Sequence, residues 1–386
     1  MDHLLSSDLR AIRTRVEDLT AHAIAPLAAE VDREAMWPRH ALEALREAGM
    51  MSLQVPRASG GQGQGLLALG VVTEAIARAC PSSALCFGMH CVGTAVIAAK
   101  ATKDQETRYL RPIAEGRHLT TLALSETGAG AHLYLPETRL RVDGGDYVVN
   151  GTKQFVTNGG HADSYVISTQ ASRPSEGGDF SLLVVDRDAP GLAWQAPWAG
   201  FGMRGNSSRA VELSDARVPR ANLLGEEGDQ VWYVFEVVAP YFLMAMAGTY
   251  LGIAVAAVQA VGEHLRTRRH ATSGQALRHV ELLQHRYADM WMETEKTRAL
   301  IYAAGHLGDI GDPSALPYIL SCKVQAAETA VRVTNEAMTL AGGIAYRENS
   351  LLARLLRDAR AGHVMAPTTD MLKTWTGRAL LGLPIL

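Results

Sequence analysis

The sequence is poor in the features that announce a function. It has four cysteines in 386 residues (Cys80, Cys86, Cys91 and Cys322), with no C-x-x-C pair and no disulfide-framework spacing. They read as small buried hydrophobes in a reducing compartment. There is no basic run or arm, and the formal net charge is −3, so the electrostatic footprint of a nucleic-acid binder is missing. Met1-Asp2-His3-Leu4-Leu5-Ser6-Ser7-Asp8 has no basic stretch ahead of an apolar one, so it does not read as a signal peptide, and a cytoplasmic protein is expected. Gly128-Ala129-Gly130 opens no G-x-G-x-x-G and follows no βαβ pattern, which argues against a nicotinamide enzyme. No metal is expected.

Charge is also missing from Val237 to Gly262, a stretch long enough to cross a bilayer. Pro240, Gln259 and the small residues Ala245, Ala247, Gly248, Ala256 and Ala257 interrupt it, and no basic cluster on one side sets an orientation. A central helix packed on all sides within a bundle has this composition, and that reading is preferred to a membrane span.

What is present is ordinary for a globular protein, with 47% apolar and 20% charged residues. At this length two or three packed subdomains are expected. Residues 1–117 carry helical periodicity, as in Leu9, Ile12 and Val16, with Pro38 and the Gly60-Gly61-Gln62-Gly63 cluster as punctuation. Residues 118–227 change to short β-rich runs, Thr138–Val142, Tyr147–Val149, Tyr165–Ile167 and Leu182–Val185, separated by Gly/Asn/Asp turns. Residues 228–386 return to long, Ala-rich helical periods. The expected fold is α+β: an N-terminal helical domain, a central antiparallel β domain and a C-terminal helical bundle.

Two segments carry the chemistry. In Ala123-Leu124-Ser125-Glu126-Thr127-Gly128-Ala129-Gly130-Ala131-His132 an apolar run stops at small residues and glycines, so a strand opens into a loop of exposed backbone N–H groups. Asn150-Gly151-Thr152-Lys153-Gln154-Phe155-Val156-Thr157-Asn158-Gly159 puts Thr157 two residues beyond an aromatic, on one face of a strand that ends at an Asn-Gly turn. An aromatic and a hydroxyl beside free amides suit a flat polar ring system that carries phosphates. The pair, in this order, resembles the flavin-binding signature of the acyl-CoA dehydrogenase family, and the helical–β–helical plan extends the resemblance over nearly the whole chain. Leu110–Gly116, Gly202-Met203-Arg204-Gly205-Asn206-Ser207 and Val218-Pro219 add to it.

The resemblance implies FAD as cofactor. It places Leu124 and Ser125 at the pyrimidine side of the flavin, Gly130 and Ala131 near the phosphates, Phe155 on the ring and the Thr157 hydroxyl near N5. Thr368 joins these as a cofactor contact. The family's Arg-x-x-Phe-Gly motif, which reaches the cofactor of a neighbouring subunit, falls at His270 to Gly274, where Arg268 and Arg269 immediately upstream are the available guanidinium groups. Gly342 and Gly343 match its glycine pair before a tyrosine. A homodimer or homotetramer is implied, and the apolar end Leu380-Leu381-Gly382-Leu383-Pro384-Ile385-Leu386 invites burial.

The departures concern the base. Removing the α-proton of a thioester needs an acceptor. The family places a glutamate after an Arg-Asp-Ala-Arg sequence; here Arg357-Asp358-Ala359-Arg360 is present, but the glutamate position is Ala366. The other home of the base in the family, a Glu-Arg pair on the central helix, falls at Phe242 and Leu243. What remains at Ala366 is its backbone N–H, which in the family helps hold the thioester oxygen. Asp370, four residues on, would share a helical face with Ala366 and is the first candidate base, ahead of His363 and His132.

The expected activity is α,β-dehydrogenation of an acyl thioester on coenzyme A or a carrier protein, with an electron-transfer flavoprotein or oxygen as acceptor. Other readings are an oxygen-using monooxygenase or oxidase, a desulfinase-type reaction on the same fold, and a non-catalytic flavin- or acyl-binding homologue.

Overall fold

The computed structural model describes residues 5–130, 132, 134–173, 179–197, 199–228 and 231–385. The first third is helical. Helix α1 (Ser7–Leu19) buries Leu9, Ile12 and Val16 and is capped by the Ser6 hydroxyl, which accepts the Leu9 N–H at 3.1 Å. It is followed by α2 (Ala28–Arg33), α3 (Arg39–Glu47), α4 (Leu66–Ala77) and α5 (Pro81–Ala99), then by the short helices α6 (Lys103–Gln105) and α7 (Arg111–Ala114). Every residue of α4 is buried, which explains why its sequence is apolar all round rather than striped.

Two four-stranded sheets make the middle. One runs β1 (Thr120–Ala123), β4 (Ser164–Thr169), β5 (Ser181–Asp186), β8 (Leu223–Leu224); the other runs β2 (Arg139–Asp143), β3 (Asp146–Val156), β7 (Arg209–Pro219), β6 (Leu192–Trp194). The pairing is antiparallel with one exception. β1 and β4 are parallel, Thr121 facing Tyr165, because the chain leaves β1 for the second sheet and comes back beside it. Tyr147, Val149, Tyr165, Ile167, Leu183, Val185, Val211 and Leu213 fill the space between the sheets.

After α8 (Val231–Tyr233) come α9 (Ala239–Thr267), α10 (Glu281–Asp309), α11 (Ala315–Ala341), α12 (Leu351–Val364) and α13 (Thr369–Leu380). The uncharged stretch at Val237–Gly262 enters and fills most of α9, part of a continuous helical span Val231–Thr267 whose most apolar window is 89% buried inside the fold, and α5 is likewise enclosed. Both helices are long and apolar enough to cross a membrane, and both serve here as core helices of a bundle. Helices α4 and α5 pack on α9, so the first and last thirds of the chain share one apolar core. The β1–β4–β5–β8 sheet adds Leu122, Val166, Leu182 and Val184 to it, while a second core fills the space between the sheets.

Asn158 joins the parts. Its amide Nδ2 donates to the Cys86 carbonyl of α5 at 2.9 Å, and its Oδ1 accepts the Trp37 indole N–H at 2.9 Å. Its own backbone N–H reaches the Asn206 carbonyl at 3.1 Å.

Candidate active site

The two signature segments run side by side where the two sheets approach each other. The Gln154 N–H donates to the Ser125 carbonyl at 2.8 Å, and the Thr121 hydroxyl donates to the Thr157 carbonyl at 3.0 Å. The register is not the regular one expected. A bulge lies between Lys153 and Val156, Phe155 takes a positive φ of 53°, and β3 ends before Thr157. The bulge turns Phe155 outward, 59% exposed, while Thr157 stays buried. Both line one cavity of about 800 Å³.

That cavity lies where the sheets meet the helices. Leu124, Ser125, Thr127 and Gly130 give one wall, Phe155 and Thr157 the next, and Phe201, Gly202 and Met203 a third. Met89, Val238, Phe242, Val364 and Trp375 give an apolar end beside Met365, Ala366 and Pro367. Gly130 has φ of 55° with open space where a Cβ would stand, leaving its backbone accessible. Gly202 meets the opposite demand: a Cβ there would lie 2.3 Å from the Arg357 carbonyl oxygen, so no other residue lets this loop close on α12.

Glu126 is the carboxylate among the described lining residues, and it is committed elsewhere. It pairs with the fully buried Lys153 ammonium and accepts the Thr138 hydroxyl at 2.6 Å, while Lys153 also donates to Ser168 at 2.9 Å. Burial alone would raise the Glu126 pKa; the Lys153 charge and these hydrogen bonds outweigh it and hold the carboxyl below its usual value. An ionised, four-times hydrogen-bonded carboxylate is a girder between the two signature segments. Both partners lie inside motifs legible in the sequence, yet sequence reasoning missed their pairing.

The structure places the other expected residues unevenly. Asp370 is exposed in the first turn of α13 and is not among the cavity's lining residues. Its expected spacing to Ala366 fails because Thr368 is the N-cap of α13, with ψ of 161°, so Ala366 lies before the helix and shares no face with Asp370. The Thr368 side chain accepts the Met371 N–H at 3.3 Å and lies outside the lining too. His363 is half-buried on α12 with its Nδ1 at 3.4 Å from the Thr369 hydroxyl, and His132 is exposed against the Tyr134 hydroxyl at 2.8 Å; neither lines the cavity. Ala131 lies outside the described residues. Arg269 donates to the Gly274 carbonyl at 3.0 Å, and Arg269, Gly342 and Gly343 stand apart from the cavity of their own chain. A Cβ at Gly342 or Gly343 would meet nothing within 4 Å.

The lining fits a flavin: an outward aromatic for the ring, a buried hydroxyl beside it, and an open glycine loop for phosphates. A helix–sheet–helix fold with such a cleft is that of a flavin-dependent oxidoreductase of acyl thioesters. The acyl-CoA dehydrogenase N-terminal domain matches residues 6–117, the middle domain 121–216 and the C-terminal domain 240–381. The chain is 31% identical over 382 residues to cyclohex-1-ene-1-carbonyl-CoA dehydrogenase of Geobacter metallireducens, covering 99% of this chain and 100% of that one. Cyclohexane-1-carbonyl-CoA dehydrogenase of the same organism is 32% identical, with 97% and 98% covered. The structure of butyryl-CoA dehydrogenase from Megasphaera elsdenii superimposes with a TM-score of 0.92 at 26% identity, covering 98% and 99%. The protein belongs to the acyl-CoA dehydrogenase family and is an FAD-dependent oxidoreductase of acyl thioesters.

Proposed function

We propose that this protein dehydrogenates the Cα–Cβ bond of a thioester whose acyl group is apolar and whose α-proton is more acidic than that of a plain saturated chain. The carrying observation is the cavity itself: flavin-signature residues and Ala366 line the same space, and no uncommitted carboxylate lines it among the described residues. FAD supplies the hydride acceptor. The chain's own work is to bind the acyl group against Met89, Val238, Phe242, Val364 and Trp375, and to hold the thioester oxygen at the Ala366 N–H. With no uncommitted carboxylate among the described lining residues, the enzyme relies on that polarisation and on a substrate that yields its proton to water. An aryl substituent on the α-carbon is apolar and acidifies the α-proton, so it meets both demands; a saturated ring, of the kind named for the cyclohexane-1-carbonyl-CoA relative, meets the first.

Coenzyme A or a carrier protein holds the thioester, in a cytoplasmic homodimer or homotetramer. Leu380, Leu381, Leu383, Leu282 and Trp291 are large apolar side chains at least half exposed in the single chain, as an assembly surface requires. In that assembly Arg269, Gly342 and Gly343 serve a neighbour's cofactor.

Anaerobic addition of acyl thioesters to the holoenzyme tests the reading. Bleaching of the flavin by apolar acyl-CoAs that carry an α-aryl substituent, ahead of straight saturated ones, is expected. Bleaching by none of them refutes it. The missing carboxylate also favours one second reading, an oxygen-using reaction; rapid reoxidation of the reduced protein by air, rather than by electron-transfer flavoprotein, would identify it.

A further inference from the structure

A lysine buried without a carboxylate partner is uncommon. Lys323, in the middle of α11, is fully buried, and its Nζ donates to the backbone carbonyls of Met365 and Pro367 at 2.7 Å each. No carboxylate pairs with it among the described residues. Burial pulls its pKa down to about 7, with the Cys322 thiol the group acting against that fall.

The two carbonyls flank Ala366. This linker has no hydrogen-bond ladder of its own: Met365 closes α12 by donating to the Ala361 carbonyl at 3.0 Å, Pro367 has no N–H, and Thr368 starts α13. Among the described residues nothing accepts the Ala366 N–H. Ala366 is half-buried and lines the cavity, so its N–H is left available to a ligand there. From the other side, the Tyr250 hydroxyl of α9 lies 3.3 Å from the Met365 sulfur.

We propose that Lys323 is a positioning residue, which by gripping the Met365 and Pro367 carbonyls aims the Ala366 N–H at the thioester oxygen. Its ammonium has no counter-ion among the described residues; the negative charge that develops on the thioester oxygen as the α-proton leaves supplies one. A cation behind the donor strengthens the hydrogen bond at that moment and not before, which is the requirement for lowering a barrier rather than tightening ground-state binding. The inference rests on the reading of Ala366 as the oxygen's donor.

Acetoacetyl-CoA separates the two claims, because its α-proton is acidic enough to ionise without a protein base and its enolate absorbs. The apparent pKa of the ligand bound to the holoenzyme is followed spectrophotometrically in wild type, Lys323→Met and Lys323→Gln, with FAD content and melting as controls. Wild type is expected to lower the ligand's pKa below its value in water. Lys323→Met, near in shape, should raise it again by about one to two units and lower kcat by about tenfold to a hundredfold with KM little changed, as loss of an oxyanion contact does. Lys323→Gln, a neutral donor, should fall between them, and it alone decides the matter if Lys323→Met does not fold. Unchanged ligand pKa and kcat in folded, FAD-replete variants would overturn the role of Lys323. A wild-type protein that binds acetoacetyl-CoA without lowering its pKa would overturn the Ala366 reading and the role of Lys323 with it.

Discussion

Asp358 Oδ1 accepts the backbone N–H of Met203 at 2.6 Å, joining residues 155 positions apart. Next to it Arg357 grips Asp32 of α2 with both guanidinium nitrogens and donates to the Phe201 carbonyl at 3.1 Å. One turn of α12 therefore holds both the first helical segment and the loop leaving the sheets, and Arg357, Phe201, Gly202 and Met203 all line the cavity.

Asp358 should give the protein a distinctive acid response. Burial raises its pKa to about 6, above the usual 3.8, despite the Met203 hydrogen bond. With the folded pKa above the unfolded one, the folded state holds the extra proton between about pH 4 and pH 6, so this group's contribution to stability falls as pH rises through that window. Asp358→Asn removes the titration while keeping an acceptor for Met203. Relative to that variant, wild type should lose up to about 3 kcal/mol between pH 4 and pH 6, read from urea midpoints. Parallel pH curves for the two proteins would show that Asp358 does not titrate there.

The Lys153–Glu126 pair makes a sharper stability test. Lys153→Met leaves a buried carboxylate without its cation, which costs about 3–5 kcal/mol. Adding Glu126→Gln should recover part of that loss, since no charge is then stranded. A single variant as stable as wild type in denaturant unfolding would remove the pair from the scaffold.

Thr157→Val keeps shape but removes the one hydroxyl of the buried residue beside Phe155. Flavin should remain bound, and its anaerobic reduction should slow about fivefold, the worth of one hydrogen bond near 1 kcal/mol. Stopped-flow traces that superimpose on wild type would take Thr157 out of the reacting centre.

Asp370 and Ala366 should behave in opposite ways. Asp370→Asn is expected to leave the reductive rate within about twofold, because its carboxylate is exposed and outside the cavity; a loss of the size typical of a general base, about a hundredfold or more, would contradict its placement. Ala366→Glu puts a carboxylate at the family's usual place and should bring dehydrogenation of plain saturated acyl-CoAs. A folded, FAD-bound variant that gains none would mean that the acyl group lies elsewhere.

The sequence carried the plan of the molecule further than the details of its centre. The helical thirds, β2 to β5 and the grouping of Ser125 and Phe155 on one cavity were legible because apolar spacing and glycine loops are local signals. The parallel β1–β4 pair was not, since pairing direction depends on where the chain goes between strands. The Asp370 argument assumed a continuous helix through Ala366, and the N-cap at Thr368 breaks it. Lys323 did leave a trace: it is the one charged residue in the run Leu316–Ala327 of α11. Its partners are backbone atoms 42 and 44 positions on, and no residue pattern announces a backbone acceptor.

The Asn158 junction bears on how such proteins can be recombined. Its side chain is complete only with the Trp37 indole and the Cys86 carbonyl in place, and the Trp37 ring in turn stacks on His161 at 4.2 Å. A sheet segment cut from one relative and grafted into another would strand this amide in a dry interface unless the matching tryptophan and α5 travelled with it. The unit of inheritance for this cleft is therefore a patchwork of side chains from separate stretches of sequence, and chimaeras drawn at the domain borders will fail at Asn158 first.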